Sequence, residues 1–474
     1  MTGQTSSNRW GLRLAGAAAV ILLLTGCSNP ITRGVSGIFG GGDDKKADNA
    51  PAEEDRISIL TLEETLSADP RYAGTAIETP PSYTNISWPQ PGGEADHTLH
   101  HLSAPLEFDV VWRADIGSAS SRRARLTAPP VVADNKVFVT DARTRVSAFD
   151  INTGDRLWRS ELTPKIKERF RIREIFSRPN PSQIGFGGGV AYDSGRVFVT
   201  SGFGFVAALD ASTGDELWRY ETDTPIRTPP TAYRDAVYFT TNTNDFIVLD
   251  AETGEKQWNY QSFEETARFL SSASPAAAGD LVVAPFSSGE VTAFLAESGR
   301  AVWNDTLARN TRLTALSMLN DIAGSPVIDR GLVYVVGHAG RLAAIDIRSG
   351  QRVWEVSVSS LQMPWVAGDY IYVVSIDAEL VCISRQDGAI VWVSQLRRHK
   401  KQKKKKGRIT WAGPVLANDY LVLVSSHGRI VKVSPQDGSV IETKKIGDGI
   451  FVPPVVADEK LFILTEEGKL IAMR

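Results

Sequence analysis

Few side chains in this sequence are spaced for catalysis or for metal binding. Two cysteines, Cys27 and Cys382, are too few for a disulfide framework or a four-ligand zinc site. His97, His100 and His101 have a spacing that could hold a metal ion, but they lie in a polar segment that follows prolines and glycines. We therefore expect these histidines to occupy a solvated loop.

The remaining motifs also give little support for an enzyme. The glycines of Gly202–Ala207 match a loose dinucleotide-binding pattern, but they lie in a strand hairpin with no helix to receive a phosphate. No residue resembles a nucleophile with its base. The chain has 52 Lys+Arg against 55 Asp+Glu, and a net charge of -3 argues against a nucleic-acid-binding surface. The sequence favours a non-enzymatic protein without cofactor or metal.

The N-terminus contains the one cysteine for which a reaction is expected. Arg9 and Arg13 flank the start of an apolar run of 11 residues, Leu14–Leu24, which is too short to span a bilayer and is typical of an export signal. The next residues, Thr25-Gly26-Cys27, complete a motif that resembles the lipobox of bacterial lipoproteins. The resemblance implies a signal peptide over 1–26, lipid (palmitate included) on Cys27 and, with Ser28 following, sorting to the outer membrane.

Residues 27–105 are predicted to form a lipidated, flexible tether. Gly34–Gly42 is rich in glycine, Asp43–Asp55 is charged, and several prolines interrupt the rest of the segment. Such a composition buries too little apolar surface to offset the entropy lost on ordering. One short helix is expected at Ile57–Ala68, where the apolar residues have a rough amphipathic spacing.

The rest of the chain contains an internal repeat of the form Ala-x-Asp-x-x-(Thr/Ser)-Gly-x-x-x-Trp. Its turn glycines are Gly154, Gly214, Gly254, Gly299, Gly350, Gly388 and Gly438. A tryptophan stands four residues after each of the first six glycines, whereas the seventh repeat has Glu442 at that position. The glycines are 38 to 60 residues apart, and such a period indicates a solenoid or a propeller.

The composition of each repeat favours the propeller. Short runs rich in Val, Ile, Phe and Tyr alternate with turn residues, which predicts four strands per repeat without helical periodicity. The last residues, Gly468–Arg474, match a third strand with no fourth after it, and Phe108–Arg113 resembles an isolated fourth strand. Pairing these two segments would close the ring. We predict an all-β, eight-bladed propeller over residues 106–474.

This repeat is similar to that of the PQQ-type propellers, and it covers nearly all of the chain after residue 105. The segment Trp88–Gly93 also resembles the opening segment of that superfamily. Two branches are candidates. The PQQ-dependent dehydrogenases resemble one another in an adjacent Cys-Cys pair, a calcium ion and an Asp base, but this chain has no adjacent cysteines. Cys382 occupies a small-residue position of the repeat, where a buried structural role is expected.

The other branch is the BamB family, lipoprotein subunits of the outer-membrane β-barrel assembly (BAM) machinery. That resemblance implies a non-enzymatic scaffold, lipid-anchored in the outer membrane and facing the periplasm. It implies docking on the periplasmic POTRA repeats of the assembly channel, and we add the hypothesis that unfolded barrel precursors bind at a blade edge. A PQQ-dependent periplasmic dehydrogenase, or an envelope propeller with another partner, is the alternative.

The long insertions fall at one type of connection, between the fourth strand of one blade and the first strand of the next. They cover roughly 159–188, 259–274, 304–325 and 393–413, and therefore emerge on one face of the disc. By register against Pro275 and Pro326, the partner-binding motifs of the BamB family correspond to Arg268, Phe269 and Leu270 and to Asp321. Ala323 stands where the family has a second Asp.

One insertion is strongly basic. Arg397 to Arg408 contains nine Lys and Arg residues within a single blade connection. Three interpretations stay open from the sequence: a solvated, mobile loop, attraction to anionic lipid headgroups, or contact with an acidic partner.

Overall fold

The computed structural model describes residues 66–122, 124–162, 187–264, 273–307 and 321–474. Within these ranges the structure is built from antiparallel β-strands and contains no α-helix. The predicted helix at 57–68 and the signal peptide lie almost wholly outside the described residues. In the part of the chain described, no helical segment has the length and apolarity to cross a membrane.

Eight four-stranded sheets, the blades, form the body, and each runs from an inner first strand to an outer fourth strand. Blades 1 to 4 contain β2 (Val131–Ala133), β3 (Lys136–Thr140), β4 (Arg145–Asp150), β5 (Arg156–Glu161); β6 (Val190–Asp193), β7 (Arg196–Ser201), β8 (Phe205–Asp210), β9 (Glu216–Glu221); β10 (Thr231–Tyr233), β11 (Ala236–Thr240), β12 (Asp245–Asp250), β13 (Lys256–Gln261); β14 (Ala276–Ala278), β15 (Leu281–Pro285), β16 (Glu290–Leu295) and β17 (Ala301–Thr306).

Blades 5 to 8 continue this order. They contain β18 (Val327–Asp329), β19 (Leu332–Val336), β20 (Leu342–Asp346), β21 (Arg352–Val356); β22 (Trp365–Ala367), β23 (Tyr370–Val374), β24 (Glu379–Ser384), β25 (Ile390–Gln395); β28 (Trp411–Ala417), β29 (Tyr420–Ser425), β30 (Arg429–Val433), β31 (Val440–Lys445); and β32 (Val455–Ala457), β33 (Lys460–Leu464), β34 (Lys469–Met473) with β1 (Val110–Asp115). A separate hairpin, β26 (His399–Lys401) and β27 (Lys406–Arg408), lies between blades 6 and 7.

The two ends of the propeller sequence meet in blade 8, as predicted. β1 pairs antiparallel with β34, and the register joins Val110 to Met473 and Asp115 to Lys469. An ion pair of 2.6 Å links the last two side chains. Pairing the outer strand with the C-terminal strand removes two open sheet edges and closes the ring. The predicted eight-bladed fold is confirmed.

Each repeat tryptophan packs on the turn glycine of the following blade. Trp218, for example, donates its indole N–H to the carbonyl of Ala251 at 3.1 Å, and a Cβ on Gly254 would lie 2.6 Å from the indole ring. The same contact joins Trp112 to Gly154, Trp158 to Gly214, Trp258 to Gly299, Trp303 to Gly350, Trp354 to Gly388 and Trp392 to Gly438. Glycine is required there because the backbone has a positive φ and the ring occupies the Cβ position.

The same geometry explains why the seventh repeat lacks its tryptophan. Glu442 lies on β31, so a tryptophan at this position would face the third-to-fourth turn of blade 8. That turn does not exist, because β34 and β1 belong to opposite ends of the propeller sequence. Lys444 instead donates to the carbonyl of Phe108, at 2.7 Å, next to the start of β1.

A segment before the first strand fills the centre of the ring. Residues 85–102, the central segment, form hydrogen bonds with all eight blades, through Asn85 to Asp458, Trp88 to Val132, Pro89 to Tyr192, Gln90 to Ala232, Ala95 to Ala277, Asp96 to Ile328, His100 to Trp365 and Leu102 to Leu416. Trp88, Leu99 and Leu102 are buried. The sequence prediction of a flexible tether is therefore wrong for this part of 27–105, because the inner strands supply apolar and hydrogen-bonding partners.

Two of the three neighbouring histidines are buried, which corrects the prediction of a solvated loop. His97 donates from Nδ1 to the carbonyl of Pro326 at 2.7 Å, and burial lowers its pKa to about 4. His101 contacts the carbonyl of Pro80 through Nδ1 and accepts from the N–H of Asp419 through Nε2. His100 is only half-buried. The described residues contain no group of three or more His, Cys, Asp or Glu that could hold a metal ion.

Candidate docking face

The disc has two chemically distinct faces. We call the insertion face the one that carries the fourth-to-first connections and the second-to-third hairpins, and the turn face the one that carries the tight first-to-second and third-to-fourth turns. Three of the long insertions include residues outside the described part of the chain, 163–186, 265–272 and 308–320. The predicted contact residues Arg268, Phe269 and Leu270 therefore lie outside the described residues.

Asp321, the fourth predicted contact residue, is described, and it is buried. Its exposed fraction is 2%, and its carbonyl accepts a hydrogen bond from the N–H of His338 at 3.0 Å. It lines a cleft of about 40 Å³ between the hairpins of blades 3 and 4, together with Asn244 and Phe286. A partner would reach this carboxyl group only at the mouth of the cleft. Ala323, at the family's second Asp position, is also buried.

An exposed aromatic side chain lies at the start of the insertion that contains Arg268. Phe263 is 76% exposed, although apolar residues of its size are usually covered in this protein. Its exposure was not predictable from the sequence, because an apolar residue next to a strand end carries no local sign of exposure. Exposed aromatic side chains are enriched at the centres of protein interfaces. Phe263 is therefore the described residue of the insertion face best suited to anchor a partner.

Asn244 fixes the backbone on which Phe263 stands. This side chain is buried, donates to the carbonyl of Phe263 at 2.6 Å and accepts from the hydroxyl of Ser287 at 2.9 Å. It thus joins the second-to-third hairpins of blades 3 and 4 to the beginning of the insertion. Ser262, next to Phe263, also bonds to the carboxylate of Glu290 in blade 4. Phe263 is therefore presented from a fixed backbone.

The turn face has a deeper depression, with acidic walls. Its volume is about 920 Å³, its floor is the central segment, and five carboxylates line it: Glu94, Asp96, Asp134, Asp193 and Asp458. Burial raises the pKa of Glu94, Asp96 and Asp193. The one cation in the lining, Arg234, is ion-paired with Asp280 at 2.6 Å.

These residues do not fit the cofactor of the dehydrogenase branch. PQQ carries three carboxylates, which require cationic partners, whereas the depression on the turn face is lined by acids. On the insertion face, the central cavity that Gly92 lines has a volume of only about 90 Å³. Cys382 lies inside blade 6 between Tyr372 and Trp392, and burial raises the pKa of its thiol. The described residues thus offer no quinone site in either cavity.

The basic insertion forms a β-hairpin. β26 and β27 pair His399 with Arg408 and Lys401 with Lys406. The base of the hairpin is held on blade 6, where Asp377 forms ion pairs with Arg398 at 2.8 Å and with Arg408 at 3.4 Å. The whole stretch 400–408 is exposed on the insertion face.

Fold and site together define a class of protein. The chain is an eight-bladed propeller of PQQ-type repeats, with its centre filled by its own N-terminal segment and its insertions collected on one face. The family model described as "Outer membrane protein assembly factor BamB" matches residues 108–180 and 142–394, more than half of the chain. The chain belongs to this family.

Individual relatives agree with the family match. Outer membrane protein assembly factor BamB of Yersinia pestis is 26% identical over 365 residues, covering 76% of this chain and 88% of the relative. The protein of the same name from Escherichia coli K12 is 25% identical, covering 77% of this chain and 88% of the relative.

Solved structures show the likeness of the fold. BamB from Moraxella catarrhalis superposes with a TM-score of 0.58 at 19% identity and covers 77% of this chain and 98% of its own. A europium-containing methanol dehydrogenase has a TM-score of 0.63 at 15% identity and covers 80% of this chain and 89% of its own. At these identities the likeness concerns the fold alone.

Proposed function

We propose that this chain is a non-enzymatic accessory component of outer-membrane protein assembly. Its insertion face docks on the periplasmic POTRA repeats of the assembly channel and so aids the folding and insertion of β-barrel proteins. Family membership supports the assembly role, since the relatives named above are outer membrane protein assembly factors. The observation that carries the choice of face is Phe263, an exposed aromatic side chain on a fixed backbone.

The proposed contact surface is centred on blades 3 and 4. Phe263 supplies apolar contact area, and Arg268, Phe269 and Leu270 follow it in the same insertion. We include Asp321 in this surface because it lines the cleft beside Asn244. A central aromatic anchor with charged groups around it is the usual anatomy of a specific protein interface.

Anchoring is part of the same proposal. Lipid on Cys27 would hold the propeller at the periplasmic surface of the outer membrane, since one acyl-modified residue tethers a body without spanning the bilayer. Mass spectrometry of the mature chain tests this directly. Diacylglycerol and a fatty acid on Cys27 are expected, whereas an unmodified Cys27 or a different first residue would contradict it.

Affinity capture from gently solubilised envelopes tests the docking face. The full chain is expected to recover the assembly channel, and Phe263→Ala is expected to reduce that recovery about tenfold, the usual effect of losing a central aromatic contact. Ile86→Ala is the matched control, because Ile86 is also 76% exposed but lines the depression on the turn face. Both substitutions remove exposed apolar surface and leave the core intact.

Three outcomes separate the parts of the proposal. Reduced recovery of the channel with Phe263→Ala, but not with Ile86→Ala, supports docking through the insertion face. Loss with Ile86→Ala alone moves the docking surface to the turn face. Failure of the wild-type chain to recover the channel overturns the assembly role. Dye reduction by the full chain supplied with PQQ and calcium would establish the dehydrogenase alternative instead.

A further inference from the structure

In the basic hairpin, residues 397–408, the arginines and the lysines have different surroundings. Its arginines are used within the protein: Arg397 donates to the carbonyl of Lys400 at 2.7 Å, and Arg398 and Arg408 bind Asp377. The side-chain ammonium groups of six lysines form no hydrogen bond or ion pair within the described part of the chain; these are Lys400, Lys401, Lys403, Lys404, Lys405 and Lys406. The arginines thus hold the hairpin in place, and the lysine ammonium groups are presented to solvent.

This concentration of like charge is uncompensated locally. Residues 397–408 contain no Asp or Glu, and Asp377, the acid at the base, is occupied by two arginines. Like charges at such close spacing repel one another, and nothing in the fold of the blades requires them. The structure therefore gives these lysines no role in stability.

The composition of the hairpin fits a charged lipid surface better than a protein. Protein interfaces are depleted in lysine and depend on aromatic or arginine anchors in desolvated pockets. Residues 400–408 contain no aromatic or apolar side chain, and the nearest ones, Ile409 and Trp411, are buried. Lysine is a strongly hydrated point charge without directional demands. Such groups suit the diffuse negative charge of lipid headgroups.

We propose that the basic hairpin, residues 397–408, binds the anionic phospholipid surface of the membrane to which the protein is anchored. This inference builds on the proposed lipidation of Cys27, because an anchored chain keeps the hairpin within reach of the membrane surface, where lysine charges are attracted to anionic headgroups. The hairpin emerges from the insertion face. Contact with the bilayer would therefore turn the side of the insertion face that carries blades 6 and 7 toward the membrane.

The test uses the full lipidated chain in vesicles of neutral phospholipid, with and without 30% phosphatidylglycerol, and trace acceptor-labelled lipid. A donor dye on Gln402→Cys reports the distance between hairpin tip and bilayer and leaves all six lysines in place. Ser298→Cys, exposed in a tight turn of blade 4 on the turn face, is the matched probe. Buried Cys382 is not expected to react with the dye.

Anionic vesicles are expected to raise energy transfer from residue 402 but not from residue 298. Each lysine held at an anionic surface favours the bound position about fivefold. Neutralising four of them by substitution with Gln at Lys403, Lys404, Lys405 and Lys406 should lower the bound-to-free ratio at least tenfold. Lys256→Gln with Lys445→Gln, two exposed lysines on outer strands, should not change it. Raising salt from 0.1 to 1 M shortens the Debye length from about 10 to about 3 Å and should release the hairpin.

Energy transfer that does not depend on phosphatidylglycerol or on the four lysines overturns the proposal. If the energy transfer from residue 402 changes only when the purified assembly channel is added, the hairpin binds an acidic protein partner instead of lipid. Flotation of the vesicles separates this failure from failure of the anchor. A protein that does not float lacks its lipid, whereas one that floats without hairpin contact refutes the lipid-binding role alone.

Discussion

The central segment makes a quantitative prediction through one side chain. Gln90 is 3% exposed, and its side-chain amide forms hydrogen bonds with the backbone of the inner strands of blades 2 and 3, as an added strand would. Its amide nitrogen donates to the carbonyls of Tyr192 and Ala232 at 3.1 Å, and its amide oxygen accepts from the N–H of Ala232 at 3.0 Å. Gln90→Leu keeps the approximate volume and removes all three bonds. At about 1 kcal/mol net for each bond, we expect a loss of about 3 kcal/mol in the free energy of unfolding.

Gln436 provides a matched control. Its amide bonds to both backbone groups of one residue, as Gln90 does with Ala232: it donates to the carbonyl of Ile77 at 2.6 Å and accepts from the N–H of Ile77 at 3.1 Å. Gln436 is exposed, so water can replace both bonds when the side chain is removed. Gln436→Leu should therefore cost less than about 1 kcal/mol.

Urea unfolding of the two variants and the wild type, followed by tryptophan fluorescence, measures the difference. Comparable midpoints for Gln90→Leu and Gln436→Leu, at an unchanged m-value, would refute the reasoning. They would mean that the ring is stable without the bonds of the central segment, and that burial of the polar groups of the inner strands carries no cost in this protein.

Three further predictions concern the blades and the central segment. Gly254→Ala should be less stable than Gly195→Ala by about 1–3 kcal/mol in urea unfolding, because both glycines have a similar positive φ but only the first has Trp218 at its Cβ position. Glu442→Trp should not raise the unfolding midpoint, since no turn lies opposite the new ring and the substitution removes the 2.8 Å ion pair of Glu442 with Lys432. The pKa of His97 is lowered to about 4 in the folded protein, against about 6.5 in the unfolded chain. As the pH falls, His97 is therefore protonated in the unfolded chain first, and stability should be lost between about pH 6.5 and 4. His97→Gln should remove this loss, about 3 kcal/mol at pH 4, in unfolding curves across that range; an unchanged pH dependence would contradict the assignment.

The propeller was predictable because its information is local and repeated. Each Asp-x-x-Thr-Gly turn closes within one hairpin; in Asp150, for example, the carboxylate accepts from the N–H groups of Asn152 and Thr153 and its pKa is lowered by these bonds. The closure by β1 and β34 was also predictable, because an unpaired fourth strand and an incomplete last repeat stand at opposite ends of the same pattern.

The central segment was not predictable in the same way. Trp88, Leu99 and Leu102 follow no sustained helical or strand period in the sequence, yet all three are buried in the core of the folded ring. His97 and His101 look polar in the sequence, but both are buried in the folded chain, where the carbonyl groups of Pro326 and Pro80 bond to their Nδ1 atoms. Composition alone therefore favoured a tether where the ring has its core.

For the candidate docking face, the sequence indicated which face of the disc carries the insertions, and the structure shows which of their described side chains are exposed. The position of the insertions follows from the repeat, which is a property of the sequence. The burial of Asp321, the exposure of Phe263 and the attachment of the basic hairpin depend on contacts between neighbouring blades, which the repeat pattern does not specify.

By itself, the sequence determined the repeat, the number of blades and the face that carries the insertions, because strands and turns of four-stranded blades form from residues close together in the chain. The tertiary structure decided which side chains are accessible and what fills the centre. These properties arise only when eight inner strands converge and offer their unpaired N–H and C=O groups to one segment.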